Sequence, residues 1–390
     1  MLIKNIVARE ILDSRGIPTI EVVTILKNGV TGRFSVPSGS NIGCREAVKK
    51  RDINNRYFNK GVKKVIESIN NDLKYELIGI DSKNQKKIDN ILIKKDGTRN
   101  KRKYGANAIL AISFSVLKAE ARNNGLPLYK YLGGNLIPRI IVNIINGGNN
   151  LSIKEFMIVP IVKTVKEQVR YSSEVFQTLK VILKEKGLLT SVCDEGGFES
   201  MLDNTESSLN IIIEAGYKLG KDIYIALNCS ANKFYDGKKY TTVELIKFYK
   251  RIINKYPIIS IEDPFYENDT KGYIKFNDDL GKHLQIVGDN LFVTNKEQLK
   301  KGIKDNLANA IIIKPNQIGT YTEMMKTIKY AVNNGIKPII SSRSGETEDT
   351  TIADIAVGLN LGQIKCSSMS WTDRIAKYNR LIRIEENLEK

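Results

Sequence analysis

The run Ala310-Ile-Ile-Ile-Lys314-Pro-Asn-Gln-Ile-Gly319 places four apolar residues, three of them β-branched, directly before a lysine. Such a run reads as a short buried strand. Pro315, Asn316 and Gly319 mark a turn, and residues 322–333 have the pattern of a helix. A lysine at the mouth of a buried strand is poorly hydrated, which brings its neutral form within reach and suits a general base. Taken alone, the decapeptide reads more simply as a lysine whose stem lies on apolar surface while its ammonium reaches water. The rest of the chain bears on that choice.

The same unit recurs through the second part of the chain. Apolar runs end in a polar or charged residue and a turn, and an amphipathic stretch follows each. The run ends are Val192-Cys193 into Asp194-Glu195, residues 223–227 into Asn228, and 258–261 into Glu262-Asp263. They continue with 284–288 into Asp289, 310–313 into Lys314, 338–340 into Ser341-Ser342-Arg343, and Gln363-Ile364 into Lys365. From Asn228 onward the spacing is roughly 22 to 34 residues, enough for strand, loop and helix. With an opening pair near 140–145 and 156–159, the strands number about eight or nine, which predicts a closed β/α barrel. An open doubly wound sheet is the alternative, but no Gly-rich phosphate fingerprint follows any strand.

Ahead of this lies a different pattern. Residues 1–9, 19–26 and 32–36 are short alternating segments separated by Asp13-Ser-Arg-Gly16 and Lys27-Asn-Gly29, which predicts an antiparallel meander. Pro37-Ser-Gly-Ser-Asn-Ile-Gly43 is too rich in Gly and Ser for a regular element and reads as a connection or a lid. Helix-like stretches follow at roughly 59–77, 82–95 and 104–125, the last apolar around most of its circumference. Leu132-Gly-Gly-Asn135 is a natural hinge. The expected architecture is α/β, with a smaller N-terminal α+β domain over 1–135 and a C-terminal β/α (TIM-like) barrel over 136–390.

Composition narrows the function classes. Apolar residues make up 42% of the 390, ample for a packed core. No apolar run reaches the roughly 18 residues of a membrane span. The opening residues lack an uninterrupted apolar stretch, so no export signal is expected. Cys44, Cys193, Cys229 and Cys366 are far apart with no CxxC spacing, which fits reduced thiols and a cytoplasmic location. The net charge of +18 invites a nucleic-acid reading, centred on residues 83–103. Lysine, isoleucine and asparagine are abundant everywhere, however, so a chain-wide bias accounts for the charge more simply than a binding patch.

In a β/α barrel, active sites gather at the C-terminal strand ends. Those ends here carry Glu195, Asn228, Glu262, Asp289, Lys314, Arg343 and Lys365. Asn228, Glu262 and Asp289 are successive oxygen donors suited to a hard cation such as Mg²⁺. A single acid at a strand end is more often a helix cap, an account that is strained for seven polar ends. A lysine base removing a proton beside a carboxylate needs cationic groups to stabilise the resulting dianion. An acid on the opposite side can then assist a leaving hydroxide, giving β-elimination of water.

The chain resembles the enolase (phosphopyruvate hydratase) family along essentially its whole length. The likeness rests on Asp13-Ser-Arg-Gly-Ile-Pro-Thr-Ile-Glu21, Val36-Pro-Ser-Gly39, Tyr104-Gly-Ala-Asn-Ala-Ile-Leu110 and Asn146-Gly-Gly148. It continues through Glu155-Phe-Met-Ile158, Asp194-Glu-Gly-Gly197, Ser260-Ile-Glu-Asp263 and Leu291-Phe-Val-Thr-Asn295. It ends with Asn316-Gln-Ile-Gly319, Arg343-Ser-Gly-Glu-Thr-Glu348 and Lys377-Tyr-Asn379 leading into Leu381-Ile-Arg-Ile-Glu385. A lysine or histidine base working with Mg²⁺ is the known arrangement of the enolase superfamily. The resemblance implies that Lys314 takes the C2 proton of 2-phosphoglycerate and that Glu195 helps the C3 hydroxyl leave, giving phosphoenolpyruvate. It implies Mg²⁺ ligands at Glu262 and Asp289, phosphate contacts at Arg343 and Ser344, and a substrate contact at Lys365. Glu155 matches the second member of a Gln-Glu pair near the substrate. A glycolytic role and a homodimer are also implied.

Several matched positions depart from the family. The first metal carboxylate is Asn228, whose amide oxygen can still coordinate but brings no charge. A Ser-Thr pair whose serine helps hold a second Mg²⁺ is replaced by Asn41 and Ile42. The glutamine of the Gln-Glu pair is Lys154, an added cation at the substrate side. One family histidine falls in a loop shortened to Asn149-Asn150-Leu151, and another is Ser342. The only histidine, His283, lies before the Asp289 strand and is expected on the surface. Base, acid and most anion contacts remain, so a working enolase of reduced efficiency is the leading expectation. An inactive enolase-like scaffold or binding protein is the alternative.

Overall fold

A computed structural model describes residues 1–39, 45–147, 153–199, 202, 204–218, 223–233 and 240–390. The chain opens with the strands β1 (Ile3–Leu12), β2 (Pro18–Leu26) and β3 (Thr31–Ser35), paired antiparallel in the order β1-β2-β3. Helices α1 (Lys63–Asn71), α2 (Gln85–Asp96), α3 (Ala106–Asn123) and α4 (Leu128–Leu132) follow. The helix expected over 59–77 is thus shorter, and a separate 3₁₀ turn occupies Leu73–Glu76. Asn54-Asn-Arg-Tyr57 and the left-handed backbone at Tyr57, Phe58 and Asn59 prevent an earlier start.

Helix α3 is buried along nearly its whole length, as its all-round apolar sequence requires. It lies directly on β3. A Cβ at Gly32 would sit 2.1 Å from the Ser115 carbonyl oxygen and 2.2 Å from the Ala119 nitrogen. Thr24 and Ser115 satisfy their buried hydroxyls mutually at 2.7 Å.

The barrel comprises β4 (Arg139–Asn146), β5 (Glu155–Pro160), β6 (Ile223–Asn228), β7 (Ile258–Glu262), β8 (Gln285–Gly288), β9 (Ala310–Ile313), β10 (Lys337–Ser341) and β11 (Gln363–Lys365). These eight strands close in the order β10-β11-β4-β5-β6-β7-β8-β9. The intervening helices are α5 (Val165–Glu185), α6 (Thr205–Lys218), α7 (Thr242–Lys255), α8 (Thr270–Leu280), α9 (Lys296–Lys304), α10 (Pro315–Ile318), α11 (Tyr321–Asn333) and α12 (Thr351–Gly358). A final helix, α13 (Thr372–Leu388), packs against α12 and α5. Strand β5 runs antiparallel to both neighbours, and the other strand pairs are parallel.

The two-residue period of a strand determines which side chains enter the barrel. Ala310 and Ile312 of β9 meet Ile141, Met157, Val159, Ala226, Val287 and Ile339 in the interior, while Ile311 and Ile313 join the larger core outside. The next inward position on β9 is Lys314. One strand expectation fails. Val192 makes only an isolated bridge with Phe198, so Glu195 is carried by a loop and not by a barrel strand. The run is short and folds back on itself, with Cys193 donating to the Gly197 carbonyl at 3.0 Å and Glu199 to the Ser191 carbonyl at 2.9 Å.

Candidate active site

The polar ends converge at one mouth of the barrel. Register places Glu155, Asn228 and Glu262 side by side, since Glu155 pairs with Asn228 and Asn228 with Glu262. Glu155 opens its strand, yet it reaches the same mouth because β5 runs antiparallel. Asp289, Lys314, Arg343 and Lys365 complete the ring, and the loop residue Glu195 closes over it. Glu46, Lys154, Glu155, Glu195, Asn228, Asp289, Lys314, Ser342, Arg343, Ser344 and Lys365 all line one pocket of about 50 Å³. A larger hollow of about 880 Å³ opens at the other mouth, but no carboxylate lines it. His283 lines that hollow and is exposed.

The buried charges are paired. Lys365 Nζ lies 2.7 Å from Glu155 Oε2 and 2.9 Å from Glu262 Oε2. Burial alone would discharge this ammonium, but the two carboxylates raise its pKa. Lys314 Nζ donates to Asp289 Oδ2, so its ammonium has a carboxylate partner and is not simply stranded in an apolar mouth. Gln317 Nε2 holds the other Asp289 oxygen at 3.1 Å, while Thr294 donates to Gln317 Oε1 at 2.7 Å. Burial opposes ionisation of Asp289, yet the Lys314 charge and hydrogen bond keep its pKa below the usual value.

Two neighbouring carboxyl groups are driven in opposite directions. Burial, reinforced by the Glu155 charge, raises Glu195. Burial also opposes ionisation of Glu155, but Lys365, a hydrogen bond with Glu195 and Lys154 hold it well below the ordinary range. The surroundings thus favour the ionised form of Glu155 and the protonated form of Glu195, the separation wanted of an acid beside an anion. Lys154 Nζ stands 3.7 Å from Glu195 and 3.9 Å from Glu155, so it contacts both carboxyls.

The cation donors fit in part. Asn228 Nδ2 donates to Glu155 Oε2 at 2.8 Å, and Asn228 Oδ1 is buried with no partner among the described residues. Glu262 Oε1 is likewise buried with no partner among the described residues. Two orphaned oxygens on register-paired residues suit a hard cation. Asp289, by contrast, has both oxygens engaged. Among the described residues no three His, Cys, Asp or Glu side chains form a ready cation cage, consistent with an amide at 228. Asn41 lies outside the described residues.

Further contacts at the mouth join residues that are distant in sequence. Glu46 faces Arg343 across the site, with Nη2–Oε2 at 3.1 Å and both side chains buried. Asp263, at φ +44°, accepts the Asp289 and Asn290 amides at 2.9 and 2.8 Å. Burial and the charges of Asp289 and Glu262 push it up to about 7. Arg15 Nη1 reaches Ser344 Oγ at 3.4 Å. Ser342 and Ser367 share a hydroxyl contact of 3.1 Å.

A barrel mouth holding a lysine, a carboxyl whose pKa is raised and an arginine defines a class: barrel proteins with acid–base side chains gathered at the strand ends. Comparison with family models narrows it. A model described as "Enolase, N-terminal domain" matches residues 3–132, and one described as "Enolase, C-terminal TIM barrel domain" matches residues 135–390. The chain belongs to the enolase family. No helix among the described residues is long and apolar enough to cross a membrane.

Proposed function

We propose that the protein is a hydro-lyase that dehydrates 2-phosphoglycerate to phosphoenolpyruvate, reversibly. The observation that carries this reading is the opposed Glu195–Glu155 pair sharing one pocket with Lys314. Lys314, in its neutral amine form, takes the C2 proton and becomes the ammonium that Asp289 can then pair with. Glu195 gives its proton to the departing C3 hydroxyl, so water leaves as the C2–C3 double bond forms. Arg343 and Ser344 hold the phosphate, while Lys365 and Lys154 face the rest of the anion. Glu155 stays charged and keeps the Glu195 proton in place between turnovers.

Asn228, Glu262 and Asp289 would hold Mg²⁺. Bound there, it would supply positive charge against the dianion that proton abstraction creates. An amide in place of a carboxylate lowers the charge of that donor set, so weaker metal affinity and a reduced rate are expected. On the same reading residues 1–135 and 136–390 are the two domains, and the enzyme works in cytoplasmic glycolysis as a homodimer. The test is ultraviolet absorbance of phosphoenolpyruvate formed from 2-phosphoglycerate across a Mg²⁺ titration. A signal that saturates with metal is expected. Its absence at saturating Mg²⁺ and high protein would favour an inactive scaffold.

A further inference from the structure

Glu195 sits in a loop that belongs to no helix or strand, yet an acid must be held within a fraction of an ångström of its target. On one flank the loop is tied to β4, where Phe198 donates to the Ile144 carbonyl and Asn146 to the Phe198 carbonyl, both at 2.9 Å. On the other flank three backbone carbonyls of the loop accept side-chain hydrogen bonds from one short segment at the start of α13. Ser370 Oγ donates to the Gly196 carbonyl at 2.7 Å, Trp371 Nε1 to the Cys193 carbonyl at 3.1 Å, and Arg374 Nη2 to the Asp194 carbonyl at 3.4 Å.

We propose that Ser370, Trp371 and Arg374 are positioning residues that clamp the loop carrying Glu195 and lock it to Arg343, a role that rests on the function assigned above to Glu195. The lock is the guanidinium of Arg374, which is fully buried. While Nη2 reaches the acid loop, Nη1 donates to the Arg343 carbonyl at 2.6 Å. One rigid group therefore spans the acid's loop and the anion anchor. Its planar fork suits two fixed carbonyls as an ammonium does not.

Two further observations point the same way. Trp371 has φ +64°, a conformation that costs a bulky residue about 1 kcal/mol or more and survives only where its surroundings enforce it. Contact across the clamp is also tight. A Cβ at Gly196, itself at φ +84°, would fall 2.3 Å from Ser370 Oγ and 3.3 Å from the Trp371 ring. Helix capping does not account for the segment, because Trp371 makes no side-chain cap bond to α13.

Ser370→Ala combined with Trp371→Phe removes two donors at positions outside the core, since Ser370 is half-buried and Trp371 is 53% exposed. Amide exchange at residues 193–198 should then quicken about tenfold. Turnover of 2-phosphoglycerate should fall about tenfold with KM within about twofold, because Arg343 and Lys365 are untouched. Arg374→Lys, which keeps the charge but not the fork, should reproduce the kcat loss. Unchanged exchange at 193–198, or a KM that rises as far as kcat falls, overturns the clamp. If the wild-type protein turns over no substrate, the assigned reaction falls and the exchange rates alone decide the clamp.

Discussion

Replacing Glu195 by glutamine keeps its shape and removes its proton. Turnover should drop at least about 100-fold, the scale of a lost general acid. Because Glu195 is raised, it stays protonated where an ordinary carboxyl has ionised. Wild-type dehydration should accordingly decline as pH rises through that raised value, and the pH–rate profile of Glu195→Gln should lack this limb. Asn228→Asp is a sharper probe of the cation donors. An aspartate would set a second carboxylate against Glu155, where Asn228 now donates at 2.8 Å. The variant should melt lower than wild type without metal and gain more in Tm on adding Mg²⁺. A Tm response equal to that of wild type would remove Asn228 from the ligand set. Lys314, Asp289 and Glu262 were legible as residues ending apolar runs, because strand parity carries the side chain inward. Glu46, Gln317 and Arg374 were not. Their partners lie 297, 28 and 31 positions away, and nothing in a local run announces such a contact.

Helix α3 and the segment before α12 join the N-terminal elements to the barrel. Lys118 Nζ of α3 meets Asp349 at 2.9 Å, and Asp349 also caps Thr351. Burial opposes ionisation of Asp349, but Lys118 and the hydrogen bonds from Thr351 together outweigh it and lower the pKa. Asp349→Asn should cost about 3 kcal/mol in denaturant unfolding, as expected for breaking a buried pair. Since the pKa is lowered, this stability is present above the ordinary carboxylate range and is lost as pH falls through the folded value. In Asp349→Asn that acid-dependent component should be missing. Gly32→Ala tests the β3–α3 contact and should destabilise by about 1–3 kcal/mol through overpacking. Most elements could be anticipated from periodicity. The segment around Val192 could not, because a single apolar pair looks the same whether or not a neighbouring strand is there to pair with it.

The barrel depends on groups from outside itself. Asp89 of α2 accepts the Thr322 amide at 2.9 Å, and Ser113 of α3 accepts the Tyr321 amide at 3.0 Å, so the start of α11 is capped from the N-terminal elements. Ser14, Ser38 and Gly39 donate backbone bonds to Glu346, Gly345 and Ser344, beside Arg343. Residues 136–390 expressed alone should therefore lack a cooperative melt by circular dichroism. A fragment melting as sharply as the full chain would count against this dependence. The charge of +18 adds a second expectation for the whole protein: any association with nucleic acid should fade steeply as salt rises. A complex that withstands high salt would contradict the view that the excess lysine is a general bias.

The chain contains a single tryptophan, and it is Trp371. Its indole N–H rests on the carbonyl two residues before Glu195, and half of its surface meets water. The protein's intrinsic fluorescence is thus an optical gauge of the acid loop, free of background from any other indole. A shift in emission on adding 2-phosphoglycerate would report loop movement directly, without a label.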